Sequence, residues 1–224
     1  MLMLEKIISV IAPHICVGCS AEENVLLCES CQESLVRQPS RCYRCNAATE
    51  DYEVCRACRR HTALRTVVVY TKHEGPAKEL LHHAKYERAR SGLLEMATMM
   101  TPLLRIFEDD EIVLVHIPTA SSRVRARGYD HAQIICRELA RQSELPVATL
   151  LARFGQAHQV GSNRSQRMKQ LNDAYRPIHV NKIQGKHIVL VDDVLTTGAT
   201  LEIAARELRR AGAKRVSAAV FAQA

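Results

Sequence analysis

The sequence contains no tryptophan, and aromatic residues fill only 4% of its 224 positions. A chain so poor in rings cannot offer a rich base-stacking platform. It also has no run of 18 apolar residues, which excludes a membrane-spanning helix. The opening segment, Met-Leu-Met-Leu-Glu-Lys-Ile-Ile, carries charge inside its apolar stretch and leads to no small-residue cleavage site. It reads as an amphipathic helix rather than a secretory leader. A cytoplasmic protein without membrane association is therefore expected, and there cysteine pairs hold metal more often than they form disulfides. There is no low-complexity tract, and the internal repetition is confined to cysteine pairs. The chain has no Gly-x-x-x-x-Gly-Lys-Ser/Thr loop and no His-x3-His pair, so neither a nucleotide-hydrolysing P-loop nor a helical histidine–metal site is indicated.

What is present is unevenly placed. Eight of the nine cysteines lie within the first 58 residues, and Cys136 stands alone. The eight form four Cys-x2-Cys pairs: Cys16/Cys19, Cys28/Cys31, Cys42/Cys45 and Cys55/Cys58. That spacing turns two thiolates toward one ion in a tight knuckle, and two knuckles complete a tetrahedral zinc site. Eight thiols thus fit two structural Zn2+ ions, in closed sites that serve folding and docking rather than catalysis. Sequential pairing closes the shortest loops, and interleaved pairing stays open. A disulfide framework and an iron–sulfur cluster are the competing readings; the absent leader and the paired spacing disfavour them. Gly18, inside the first knuckle, suits a tight turn. Cys136 lies among apolar helix positions and reads as a packed residue.

Residues 1–62 are short of hydrophobic periodicity and need a staple, whereas 63–224 read as one α/β domain. Strands are expected at Thr66–Tyr70, Ile112–Ile117, His187–Val191 and Val216–Phe221. Helices are expected at Pro76–Glu87, Ser91–Phe107, Asp130–Gln142 and Thr200–Arg210. An Arg-rich loop is expected at 119–127, and a mobile loop at 154–166 with a short helix from Ser165 to Leu171. Alternating strands and helices imply a parallel sheet with right-handed crossovers.

Residues 188–200 read Ile-Val-Leu-Val-Asp-Asp-Val-Leu-Thr-Thr-Gly-Ala-Thr. A strand delivers two acids, then a Thr/Gly turn opens a helix. The backbone N–H groups of Thr196, Thr197, Gly198, Ala199 and Thr200 can wrap a phosphate at the positive end of that helix. Asp192 and Asp193 suit ribose hydroxyls, or a metal bridged to a diphosphate. A plain helix cap is the competing reading, but capping needs one acid or hydroxyl rather than this whole set. The stretch resembles the 5-phosphoribosyl 1-diphosphate (PRPP) loop of type I phosphoribosyltransferases. The resemblance implies that Asp192 and Asp193 hold the ribose and that Thr196–Thr200 hold the 5-phosphate.

Residues 119–176 hold ten Arg or Lys and four acids, an excess of six that nearly equals the net charge of +7. Such a concentration faces a polyanion, either a diphosphate or a nucleic-acid backbone. A solvated helix face accounts for Arg137 and Arg141. It does not account for Arg123, Arg125 and Arg127, which follow a strand end; Arg164 and Arg167 join them as diphosphate or DNA candidates. Lys85 either reaches the diphosphate or answers a helix dipole. His73, His82 and His83 lack the spacing of a metal site.

A Cys-pair module comes first, then Ala84-Lys85-Tyr86. A strand–Pro–Arg-rich segment, Arg164-x-x-Arg-x-x-Gln-Leu-Asn172 and the phosphate loop follow. In this order the whole chain resembles the ComF/GntX family. That resemblance implies a double zinc ribbon on a PRPP-binding, type I phosphoribosyltransferase domain with Mg2+. It also implies catalytic roles for Asp192, Asp193 and Arg127. Segment 155–172 would close over the site as a hood. It further implies a part in natural transformation, handling incoming single-stranded DNA in the cytoplasm beside a DNA-uptake helicase. The family's usual Arg-Gly-Phe-Asn-Gln appears here as Arg127-Gly128-Tyr129-Asp130-His131. Asp130 either places a negative charge near the diphosphate or caps the following helix. Two functional classes stand: a phosphoribosyl-transferring enzyme of unidentified acceptor, or a non-catalytic, zinc-dependent single-stranded-DNA adaptor that keeps the fold.

Overall fold

The structure is a computed structural model that describes residues 14–86, 90–107, 111–154 and 174–224. The expected N-terminal helix, the 155–172 hood with its short helix, and Arg164 and Arg167 lie outside the described residues.

The chain begins with two matching knuckles. In the first, Cys16 N–H donates to Ala21 O at 2.7 Å and Ser20 N–H to Cys16 O at 2.8 Å. In the second, Cys42 N–H donates to Ala47 O at 2.9 Å and Asn46 N–H to Cys42 O at 2.8 Å. The first is flanked by β1 (His14–Ile15) and β2 (Glu22–Glu23), and the short helix α1 (Glu29–Glu33) follows. The ribbon then lies along the outer edge of β3 (Val67–Lys72). Gln38 N–H donates to Tyr70 O at 3.3 Å, and Val67 N–H donates to Tyr52 O at 3.1 Å. An edge strand with unpaired backbone groups invites aggregation, and this one is covered.

After β3 come α2 (Gly75–Tyr86) and α3 (Arg90–Met100), then β4 (Ile112–His116), α4 (Ser121–Arg127) and α5 (His131–Ser143). A small antiparallel pair follows, β5 (Leu151–Arg153) with β6 (Tyr175–Pro177). β7 (His187–Leu195), α6 (Ala199–Arg210) and β8 (Arg215–Gln223) close the chain. The central sheet has the order β3-β8-β7-β4, and every pairing in it is parallel.

Both faces of the sheet are buried, which is why its strands are nearly continuous in Val, Ile and Leu. Val68, Tyr70, Val189 and Phe221 share one core with Leu80, Leu93, Met96, Ile135 and Leu139 of α2, α3 and α5. Val67, Ile188, Leu190 and Val220 share the other with Leu201, Ala204 and Leu208 of α6. Of the helices after β4, α5 therefore lies on one face, and α6, after β7, on the other. Where such neighbours diverge, their C-terminal ends open a crevice, the usual ligand position in open α/β sheets.

Four expectations shift. The strand expected at His187–Val191 runs on through the acid pair to Leu195, because β8 keeps pairing opposite Asp192, Val194 and Leu195. The second long helix ends at Met100 and tightens into a 3-10 turn, Thr101–Ile106, with Pro102 at its start. Pro102 has no N–H to extend the α-helical ladder. The Arg-rich segment is the helix Ser121–Arg127 rather than a loop, and Gly128 closes it at φ 91°. The β5–β6 pair was not expected, since three residues are too few to show a period.

Candidate functional site

The eight ribbon thiols gather into two groups, Cys16/Cys19/Cys28/Cys31 and Cys42/Cys45/Cys55/Cys58, each with its sulfurs within 4.8 Å of one another. Pairing is therefore sequential. A tetrahedral site with zinc–sulfur bonds of about 2.3 Å sets its sulfurs about 3.8 Å apart. Cys19 and Cys28 sulfurs lie 3.7 Å apart, and Cys45 and Cys55 sulfurs 3.6 Å apart. Two cysteine tetrads thus fit two structural zinc sites. Cys28 N–H also points at Cys16 Sγ, 3.3 Å away, a bond suited to a thiolate. Gly18 is needed for space rather than for a left-handed turn: a Cβ there would sit 2.6 Å from Cys31 Sγ. No other cluster of three or more metal-ligating side chains occurs among the described residues, so the histidines build no site there. Cys136 is fully buried, and burial pushes its thiol up to about 12, as fits a packed residue.

The crevice at the β4/β7 boundary holds a cavity of about 430 Å³. Asp192, Asp193 and Thr200 line one side; Lys85, Arg123, Arg127, His131, Arg153 and Tyr175 line the rest. Lys85 Nζ lies 2.8 Å from Asp193 Oδ2, with both side chains largely buried. The residue is thus committed to the acid pair. Burial pushes the Asp192 carboxyl up to about 8, and the Asp193 charge adds to the rise. Asp193 N–H, donating to Asp192 Oδ1 at 2.9 Å, works against it. Lys85 thus offsets only part of the repulsion between the two carboxylates, and a further cation or hydroxyl donors would relieve the rest.

The helical form of 121–127 divides the arginines. Arg123 and Arg127 are four residues apart, share a face and line the cavity. Arg125 points elsewhere and is exposed. Arg127 Nη1 donates to His131 Nδ1 at 3.1 Å. A guanidinium only donates, so the His131 proton sits on Nε2. That Nε2 is buried with no hydrogen-bond partner among the described residues, and burial lowers the His131 pKa, keeping the ring neutral. Asp130 does not face the cavity. Its carboxylate accepts from Thr119 N–H at 2.7 Å, Thr119 Oγ1 at 3.1 Å and Gln133 N–H at 3.3 Å, so it caps α5 and ties down the turn after β4. Tyr129 keeps a ring in place and donates to Ala84 O at 3.0 Å.

A second cavity, of about 370 Å³, flanks the Thr/Gly loop. Thr196, Thr197, Gly198 and Ala199 line it together with Tyr43, Arg44, Glu202 and Arg206. Gly198 has φ 75° and precedes α6, so the loop needs glycine there. Tyr43 and Arg44 come from the second zinc knuckle. Neither they nor Arg153, Tyr175 and His131 were among the expected site residues. Arg153 Nη1 donates to Tyr175 Oη at 2.8 Å, a pairing formed only when β5 and β6 meet. The aromatic–Arg content of the third Cys-x2-Cys pair was the one available signal for Tyr43 and Arg44.

A family model for the phosphoribosyl transferase domain matches residues 124–224, and one for the double zinc ribbon domain matches residues 7–59. Competence protein ComFC of Bacillus subtilis is 29% identical over 197 residues, covering 83% of this chain and 79% of that one. Competence protein F of Haemophilus influenzae is 24% identical over 218 residues, 90% of this chain and 93% of that one. The DNA utilization protein YhgH of Escherichia coli K12 is 26% identical over 209 residues, 85% and 87%. Over most of its length the chain is thus similar to the ComF family of competence and DNA utilization proteins. The protein accordingly combines a parallel-sheet phosphoribosyltransferase fold with an N-terminal zinc ribbon. No helix among its described residues is long and apolar enough to cross a membrane.

Proposed function

We propose that this protein is a member of the ComF family that binds PRPP and transfers its phosphoribosyl group while serving DNA uptake in the cytoplasm, with single-stranded DNA as the macromolecule it handles. One observation carries the reading: the crevice joins a carboxylate pair at a strand end to Lys85, Arg123, Arg127 and Arg153 in one cavity, beside a Thr/Gly loop at a helix N-terminus. The names of the relatives, competence and DNA utilization proteins, support the process. Residues 1–62 form the ribbon module and 63–224 the ligand-binding domain in this reading.

Asp192 and Asp193 take the ribose hydroxyls, and the loop from Thr196 to Thr200 takes the 5-phosphate. Arg123 and Arg127 face the diphosphate, with Lys85 able to exchange Asp193 for a diphosphate oxygen. As the bond from ribose C1 to the diphosphate breaks, charge builds on the leaving group; fixed guanidiniums stabilise it without reorganising. The two carboxylates fit Mg2+ by donor type, and that ion supplies neutralisation of the leaving diphosphate. Acceptor attack on C1 completes the transfer.

Calorimetry tests the binding. Wild-type protein binds PRPP, and the double variant Asp193→Asn/Thr197→Ala loses it. Unchanged binding removes the phosphate-loop assignment. Release of diphosphate, followed with and without single-stranded DNA, then separates a transferase from an adaptor: binding without turnover in either condition favours the adaptor.

A further inference from the structure

The second zinc knuckle, Cys42-Tyr43-Arg44-Cys45, lies against the phosphate loop although the two are about 150 residues apart in sequence. Tyr43 is packed onto Gly198 so closely that a Cβ there would meet Tyr43 Cε2 at 2.8 Å. The Tyr43 hydroxyl sits 2.7 Å from Thr62 Oγ1 and 3.1 Å from Glu202 Oε2. Glu202 belongs to the first turn of α6, directly after the loop, and is only 7% exposed. It also accepts from Ala63 N–H at 3.1 Å, from the Thr62 hydroxyl and from Arg206 Nε at 2.9 Å. A buried carboxylate with four donors holds its surroundings in one arrangement, since freeing any partner leaves charge without compensation. The knuckle is therefore fastened to the helix whose N-terminus follows the loop.

Arg44 follows Tyr43 in the same knuckle and lines the cavity with Thr196, Thr197, Gly198 and Ala199. Its Nη1 donates to His61 O. That uses one of five guanidinium donors and leaves the rest available. Knuckle backbone conformation is set by the metal, so the reach of Arg44 is set by it too.

We infer that the zinc ribbon completes the phosphate site: Arg44 binds the 5-phosphate of the phosphoribosyl ligand, and Tyr43 is a positioning residue that holds the loop around it. This rests on the phosphate-loop reading above. It assigns the ribbon a share of ligand recognition in addition to folding, and it selects for ligands that carry a terminal phosphomonoester.

The test titrates two partial ligands by calorimetry, ribose 5-phosphate and inorganic pyrophosphate, against full-length zinc-loaded protein. Arg44→Ala weakens ribose 5-phosphate about tenfold, the scale of one charge-assisted contact, and leaves pyrophosphate unchanged. Arg44→Lys recovers part of the loss. Tyr43→Phe, which keeps the ring and removes the hydroxyl, gives a smaller loss for the same ligand only. Zinc stays at two per chain in all three. Equal losses for both ligands, or a fall in zinc, assign Arg44 a merely structural role and overturn the inference. If Asp193→Asn/Thr197→Ala abolishes ribose 5-phosphate binding while Arg44→Ala does not change it, the knuckle inference falls and the phosphate loop stands. If the loop variant binds like wild type, both fall.

Discussion

The two cysteine tetrads use the same ligands and the same knuckle, yet stand in opposite surroundings. In the first, Cys16, Cys28 and Cys31 are buried and pack into the core with Leu26, Leu27 and the helices α2 and α3. Glu95 of α3 accepts from Leu26 N–H at 2.8 Å and Leu27 N–H at 3.0 Å, fixing that half of the ribbon to the sheet domain. In the second, only Cys42 is buried and Cys45 is exposed. Its neighbours are the Thr/Gly loop 196–199 and a cavity rather than a core. Identical ligand chemistry thus packs against a core at one site and borders a cavity at the other.

Metal loss separates the two most strongly. A structural zinc supplies on the order of 10 kcal/mol of coupled folding free energy. Cys28→Ser/Cys31→Ser should therefore remove one zinc and collapse the cooperative melting transition. Cys45→Ser/Cys58→Ser should remove the other, lower the melting temperature less and abolish ribose 5-phosphate binding. Melting curves with zinc analysis decide it; equal destabilisation by both pairs breaks the comparison.

The two anchoring glutamates offer a finer contrast. Glu95→Gln weakens charge-assisted bonds to two backbone donors and should cost about 2 kcal/mol, a fall of several degrees in melting temperature, without altering PRPP affinity. Glu202→Gln should cost a similar amount and weaken PRPP as well. A Glu95 variant with impaired ligand binding would make both anchors functional.

A further contrast is a pH dependence. The Asp192 carboxyl lies near 8 in the folded protein against about 4 when unfolded, so the unfolded state holds fewer protons between those values. Stability from this group is full below about 4 and is lost as pH rises through 8. Asp192→Asn should hence stabilise the ligand-free protein, by more at pH 8 than at pH 5, while losing PRPP. A gain independent of pH would place the cause outside this carboxyl.

Much of this was legible in the sequence. Four Cys-x2-Cys pairs carry their chemistry in their spacing, and Asp192-Asp193 with Thr196–Thr200 carry theirs in order along one strand–turn–helix. What escaped depends on tertiary contact. Arg123 and Arg125 look equivalent in a supposed loop, and only helical geometry separates them. Asp130 reads either as a charge near the diphosphate or as a helix cap, and its cap on α5 and bonds to Thr119 decide for the cap. Tyr43 and Glu202 meet across the fold, where no local period could relate them.

One feature of the sheet bears on how the chain is made. The ribbon covers the outer edge of β3 and is complete by residue 58, whereas the inner partner of β3 is β8, whose Ala218 pairs with Val67. On a ribosome, β3 therefore emerges long before its inner neighbour and must wait with that flank open. Long-range parallel pairing is slow, and exposed strand flanks are where nascent chains aggregate. A metal-stapled cover already in place on the other side halves that hazard, so zinc supply during synthesis should set the yield of soluble chain as much as the stability of the finished one.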